Sequence, residues 1–134
     1  MPAINHVAVL VAVIVSQVLG YLWYSVLFSK PWAIGYRLEP NALAQTPPWA
    51  YAVTISGALL FSYGTAAAVG LLALSGAAAG VLLGAGIWLG ILVPRYTLHA
   101  AFGRIATGAI AIDLGFDLIV SVSTATILTL WLPG

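Results

Sequence analysis

The chain has 134 residues, of which 63% are hydrophobic and only 5% charged, and its mean hydropathy is +1.11. A water-soluble domain carries roughly 25% charged residues, so this chain has too little polar surface to face water and takes lipid as its solvent. A net charge of +1 says nothing about nucleic acid, but there is no basic run to bind it and no nucleic-acid partner is expected; the lack of cysteine excludes disulfides, thiolate chemistry, cysteine-ligated zinc and iron–sulfur clusters.

A bilayer core takes about 20 apolar residues per helix. Four stretches are that long. The first covers residues 4–28. It has no basic leading region and ends in LWYSVLF rather than at a small-residue cleavage site, so it reads as a retained helix and not as a signal peptide. The loop that follows, SKPWAIGYRLEPNALAQTPP, is the only long one. Its Pro, Trp and Tyr content predicts a connector lying in the membrane interface rather than a lid. The second span, residues 49–72, starts behind Pro47 and Pro48, where proline fits the first helical turn without losing a hydrogen bond. The short ALSGAA link forces an antiparallel hairpin into the third span, residues 79–99. Gly76, Gly80 and Gly84 recur there every four residues, and Gly86 and Gly90 repeat the spacing on another face. Small residues so spaced let membrane helices approach closely. Two such faces predict neighbours on two sides, packed within the chain or, for one face, in a homo-oligomer. The fourth span covers residues 107–131. The fold class is therefore all-α: a polytopic membrane protein whose residues 1–134 form one domain of four transmembrane helices packed as a bundle.

Basic residues set the expected orientation. Lys30 and Arg37 lie in the first loop, and Arg95 and Arg104 flank the last one. With four spans these share one side, and positive residues stay cytoplasmic, so both termini are expected outside. Trp32, Tyr36, Trp49 and Tyr51 on the basic side and Trp131 on the other read as interface anchors.

The fourth span holds the most informative residues. Asp113 and Asp117 lie four apart, on one face of a helix. An Asp at the centre of an inserting helix costs about 2.5–3.5 kcal/mol, so something must offset both. Ser121 and Thr124 continue the stripe. It reads as a structural seam or as a proton or cation path. Arg95, just after Pro94, matches the depth of Asp113 and is the expected salt-bridge partner. Gln17, midway along the first span, matches the depth of Asp117 and is its expected partner. His6 and His99 fall near opposite membrane faces and cannot share a metal within one chain. No phosphate loop, metal-ligand spacing or nucleophile–base set occurs. No cofactor, metal or catalytic residue is expected.

The start of the chain, INHVAVLVAVIVSQVLGYLWYSVLFSKPW, resembles a family of small bacterial four-helix membrane proteins, the domain-of-unknown-function family 1761. The resemblance rests on Asn5, then Gly20, Trp23, Tyr24 and Ser25, then Phe28 and Trp32. It implies the four-span fold and a bacterial cytoplasmic membrane, and it implies no reaction. The family often has a neutral polar residue where this chain has the two acids, so the acids read as particular to this chain or its subgroup. The expected role is a non-enzymatic structural or accessory membrane protein, embedded in the bilayer and associated with itself or with a larger complex. The alternative is a small proton- or cation-coupled transporter or channel using Asp113 and Asp117.

Overall fold

The first helix starts where Asn5 caps it: the side-chain carbonyl accepts from the backbone N–H of Val7 and of Ala8, both at 3.1 Å. In the computed structural model, which describes residues 2–134, the chain is 81% helical and, among the described residues, has no strand. Four helices are long and apolar enough to cross a membrane: α1 (His6–Leu27), α3 (Pro48–Leu71), α4 (Ala77–Gly103) and α5 (Thr107–Leu130). Between α1 and α3 the long loop folds into the short helix α2 (Ser29–Gly35) and a single 3-10 turn (Ala42–Gln45). α2 packs on α5.

The spans fall close to expectation, except that α4 runs to Gly103, past Arg95 and His99. Both termini lie at one end of the bundle, the terminal end. The α2 loop and the tight α4–α5 turn, with Arg104 in the left-handed conformation, lie at the other, the basic end. Gly76 makes the α3–α4 turn at φ 89°, where its N–H donates to the Thr129 carbonyl.

α5 is the axis of the fold, and α1, α2, α3 and α4 all pack on it. Gly80 and Gly84 bring α4 against α5 so closely that a Cβ on Gly84 would lie 2.5 Å from the Ser121 carbonyl oxygen and the Val122 Cα. The buried core is small-residued: Ala8, Val9, Ala12, Val13, Ala66, Val69, Ala125 and Leu128, with buried hydroxyls on Ser16, Ser62, Thr65, Ser121, Thr124 and Thr129. The Ser121 hydroxyl crosses to the Gly84 carbonyl at 2.9 Å. The second glycine face does not pack within the chain. Gly86 and Gly90 are exposed and a Cβ on either would meet nothing within 4 Å. The reason is that α4 packs chiefly on α5, which leaves its other flank to the surroundings.

Two helices widen into π geometry. In α1 this covers Tyr21–Leu27, closed by the Phe28 N–H to the Trp23 carbonyl at 2.9 Å. In α4 it covers Trp88–Leu92. Pro94 accounts for the second, because a proline ring crowds the carbonyl four residues back, here Gly90, and the wider turn relieves that crowding. Each π turn inserts extra residues relative to the α spacing and rotates the side chains that follow.

Candidate functional site

The two π segments and α2 bring their aromatic residues to one point on α5, the Asp113 carboxylate. Tyr24, in the π segment of α1, donates to Oδ1 at 2.5 Å. Trp32, on α2, donates from Nε1 to the same oxygen at 3.0 Å. Tyr96, on α4 just past the π turn, donates to Oδ2 at 2.5 Å. Tyr36, at the end of α2, also hydrogen-bonds Oδ2, and its hydroxyl meets that of Tyr96. Asp113 itself is buried, 8% exposed.

The neighbouring backbone is gripped as well. The Trp23 indole donates to the Ile112 carbonyl at 2.9 Å and the Trp88 indole to the Leu114 carbonyl at 2.8 Å. Three consecutive residues of α5 are thus held from α1, α2 and α4. The rings pack on one another: Tyr24 meets Trp32 and Phe116 edge-on, with centroids 5.6 and 5.0 Å apart, and Trp32 meets Tyr36 at 4.8 Å. Phe116 fills the space over Gly20, and Trp23 packs on Phe28. Gly35 lies so close to Ala109 that a side chain would collide there, and the Ala106 N–H donates to the Gly35 carbonyl at 3.3 Å, which seats α2.

Four neutral donors fill the roughly four acceptor positions of an ionised carboxylate. Burial, together with the bond to Asp113, pushes the Tyr36 phenol up to about 12, so it remains a donor at any ordinary pH.

The expected Asp113–Arg95 salt bridge is replaced by this cage. Arg95 is exposed and faces away from α5. Trp88 faces α5, and on an uninterrupted helix the residue seven further on, Arg95, would face it too. The intervening π turn moves that place on by one, to Tyr96. The expected Asp117–Gln17 bond does not form either: Gln17 donates from Nε2 to the Ser16 hydroxyl at 3.4 Å. Asp117 is half-buried, one turn deeper than Asp113, and no hydrogen bond reaches it among the described residues. Trp32 and Tyr36 turn inward as carboxylate donors rather than serving as interface anchors, whereas Trp49 and Tyr51 are 69% and 56% exposed.

Of the seven signature residues, Trp23, Tyr24 and Trp32 grip Asp113 or its neighbours, and Gly20 and Phe28 support those rings. Asn5 caps α1 and reaches the Trp131 carbonyl at 3.3 Å. Ser25 is exposed and lies outside the cage. Tyr36 and Tyr96 were not foreseen as site residues. The available signal was the i, i+4 spacing of Trp32 and Tyr36, which shares one helix face.

His6 Nδ1 lies 2.9 Å from the Tyr63 hydroxyl at the terminal end, and His99 is exposed near the basic end. Among the described residues no group of three or more His, Cys, Asp or Glu comes together to hold a metal. An open groove of about 480 Å³ between Pro2–Asn5, the end of α3 and Leu128–Pro133 has no titratable side chain in its lining and lies at the opposite end from Asp113.

A family model described as "Protein of unknown function (DUF1761)" matches residues 7–129 of the chain. No curated protein matches it, and no solved structure does.

Proposed function

The chain belongs to the DUF1761 family of proteins of unknown function, and from that premise we propose that it is a non-catalytic membrane scaffold, working as a homo-oligomer or as a small subunit of a larger membrane complex. The observation that carries this reading is the saturation of Asp113. A carboxylate whose lone pairs are all taken by fixed neutral donors has no site left for a substrate or an ion. What it does is fasten α1, α2 and α4 to α5. With so little polar surface, the rest of the molecule offers other helices and lipid a surface to pack against.

The proposed setting is a bacterial cytoplasmic membrane with both termini outside. All four Lys/Arg residues lie towards the basic end, which supports placing that end in the cytoplasm. A second reading, a proton- or cation-coupled transporter, is supported by Asp117, an intramembrane acid without a bonded partner. Against it stands the packing beyond Asp117: Ser121 and Thr124 are buried and the Ser121 hydroxyl is committed to Gly84, which leaves no polar route onward within the subunit.

Proteoliposomes loaded with a pH-sensitive dye and placed in proton, sodium and potassium gradients test the choice. The scaffold reading expects flux equal to protein-free vesicles. A flux that Asp117→Asn abolishes while the fold persists would overturn it.

A further inference from the structure

Among the described residues, two charged side chains in the spans have no hydrogen-bond or salt-bridge partner, and they have opposite sign. Asp117 is half-exposed in a stripe whose other members, Asp113, Ser121 and Thr124, are buried. The wall that should cover it is missing. Ala66 and Val69 of α3 pack at the level of Leu128 on the parallel helix α5. From Leu128 back to Asp117 is eleven residues, and the same step along α3 reaches Ile55 and Ala58. There α3 has left the bundle: every residue from Tyr51 to Gly57 is exposed, which covers all directions around nearly two turns.

Arg95 is the complement. It stands on the bare flank of α4 in a stripe of exposed apolar residues, with Ile91 57%, Leu98 46% and Phe102 84% exposed. The Cα of Arg95 lies about 12 Å, eight residues of rise, from the end of the helix at Gly103. A guanidinium among lipid-facing residues is costly unless it is paired or snorkels out.

The register puts the two within reach of each other across copies. Gly84 on α4 lies beside Ser121 and Val122 on the antiparallel α5, so Asp117 is level with about Leu89. Arg95 is then about 9 Å, six residues of rise, nearer the basic end. Side chains tilt towards the N-terminus of their own helix. Arg95 therefore leans deeper into the membrane and Asp117 leans back towards the basic end. The two lean towards one another across the gap. Within one chain they are kept apart, because the π turn directs Arg95 away from α5.

We propose that copies of this chain associate in the membrane by seating the Ile91–Arg95–Leu98–Phe102 face of one copy beside Asp117 and the diverged half of α3 of the next, with Arg95 paired to Asp117 across the interface. The one-to-one count of the two charges lets a closed ring or a two-fold dimer satisfy every one of them. The other basic residues, Lys30, Arg37 and Arg104, lie at or beyond the helix ends, so Arg95 is the cation a second copy brings to this depth. The inference rests on the scaffold reading and names its partner.

Complementation between two tagged copies in native nanodiscs tests it. Wild-type copies with different tags should co-purify. Arg95→Leu copies alone and Asp117→Leu copies alone should lose at least nine-tenths of that association. Mixing the two variants should restore it, because the Arg95→Leu copy keeps Asp117 and the Asp117→Leu copy keeps Arg95. Restoration cannot come from misfolded protein; if either Leu variant is lost from the membrane, Arg95→Gln and Asp117→Asn take their place. A monomeric wild type, association unchanged in both single variants, loss without restoration in the mixture, or a different chain retained through Asp117 would each refute the pairing. Ion flux in the vesicle assay with the pairing intact would instead remove the scaffold reading and leave the interface standing.

Discussion

Replacing Asp113 by leucine removes the acceptor from four donors at once. Interhelical hydrogen bonds in membranes average about 0.6 kcal/mol and reach about 1.7 kcal/mol. Bonds to a charged acceptor sit at the upper end, since those in soluble proteins are worth about 1.5–3 kcal/mol. The Tyr36 and Tyr96 hydroxyls already lie side by side, and with the carboxylate gone one of them can turn its hydrogen to the other. Tyr24 and Trp32 lose their only side-chain acceptor. Two full losses and two partial ones sum to roughly 2–4 kcal/mol, against which the leucine recovers part of the cost of placing a carboxylate in the membrane. The net expectation is a loss of about 1–3 kcal/mol. Asp113→Asn keeps one acceptor oxygen, and its amide N–H groups can donate to phenols that rotate, so it should lose less. Unfolding from mixed micelles by titration with a denaturing detergent measures both, with tryptophan emission as the reporter because Trp23, Trp32 and Trp88 all hold this region. Asp113→Leu within about 0.5 kcal/mol of wild type, or more stable than Asp113→Asn, would refute the claim that the cage fastens the bundle.

The two glycine faces should respond oppositely to alanine. Gly84→Ala places a Cβ against backbone atoms of Ser121 and Val122 that cannot yield, and should cost about 1–3 kcal/mol in the same titration; Gly86→Ala meets open space and should be neutral or slightly stabilising for the monomer. The Tyr36 phenol, at about 12 in the fold against the ordinary 10, gives a signed pH dependence: its contribution is complete below pH 10 and is lost as pH rises through 10 to 12, so the loss of stability over that window should be smaller in Tyr36→Phe than in the wild type. For orientation, a C-terminal alkaline phosphatase fusion should be active and a C-terminal fluorescent protein dark; the reverse pair of results would place the basic end outside.

The spans, the start of α3 and the close packing of Gly80 and Gly84 were legible because each rests on a one-dimensional signal: an apolar run, a proline before a helix, a four-residue repeat. Asp113 was legible as costly, since almost nothing else in the spans is charged. Its partners were not. Depth counting fixes only the level of Arg95 and Asp113 in the membrane and not which way each side chain faces. The π turn at Trp88–Leu92 shifts the facing position by one residue, and a single residue is the whole difference between an ion pair and a phenol cage. Pro94 marked the place of the irregularity, but proline at that position is equally consistent with a kink. Opposite charge at similar depth likewise gave Arg95 a natural partner in Asp113, whereas tyrosines near a membrane surface have an ordinary reason to be there as anchors.

The cage also bears on why this position carries an acid. Trp23, Tyr24 and Trp32, the aromatic residues of the signature that touch α5, aim donors at Asp113 or its flanking carbonyls, and Tyr36 and Tyr96 complete the set. An indole N–H can only donate, so Trp32 requires an acceptor opposite it. Phenols can donate or accept, and at a neutral amide the three hydroxyls would divide between the two roles. A carboxylate is the one side chain here that takes all four bonds in the same sense. On that ground Asp113 and the aromatic set act as one unit in this fold. Asp117 is different in kind. One turn away, it has none of these donors, and among the described residues no hydrogen bond reaches it. The two acids thus divide what looked like one stripe into a closed internal fastening at Asp113 and, at Asp117, an open position, the one the proposed interface assigns to Arg95 of a second copy.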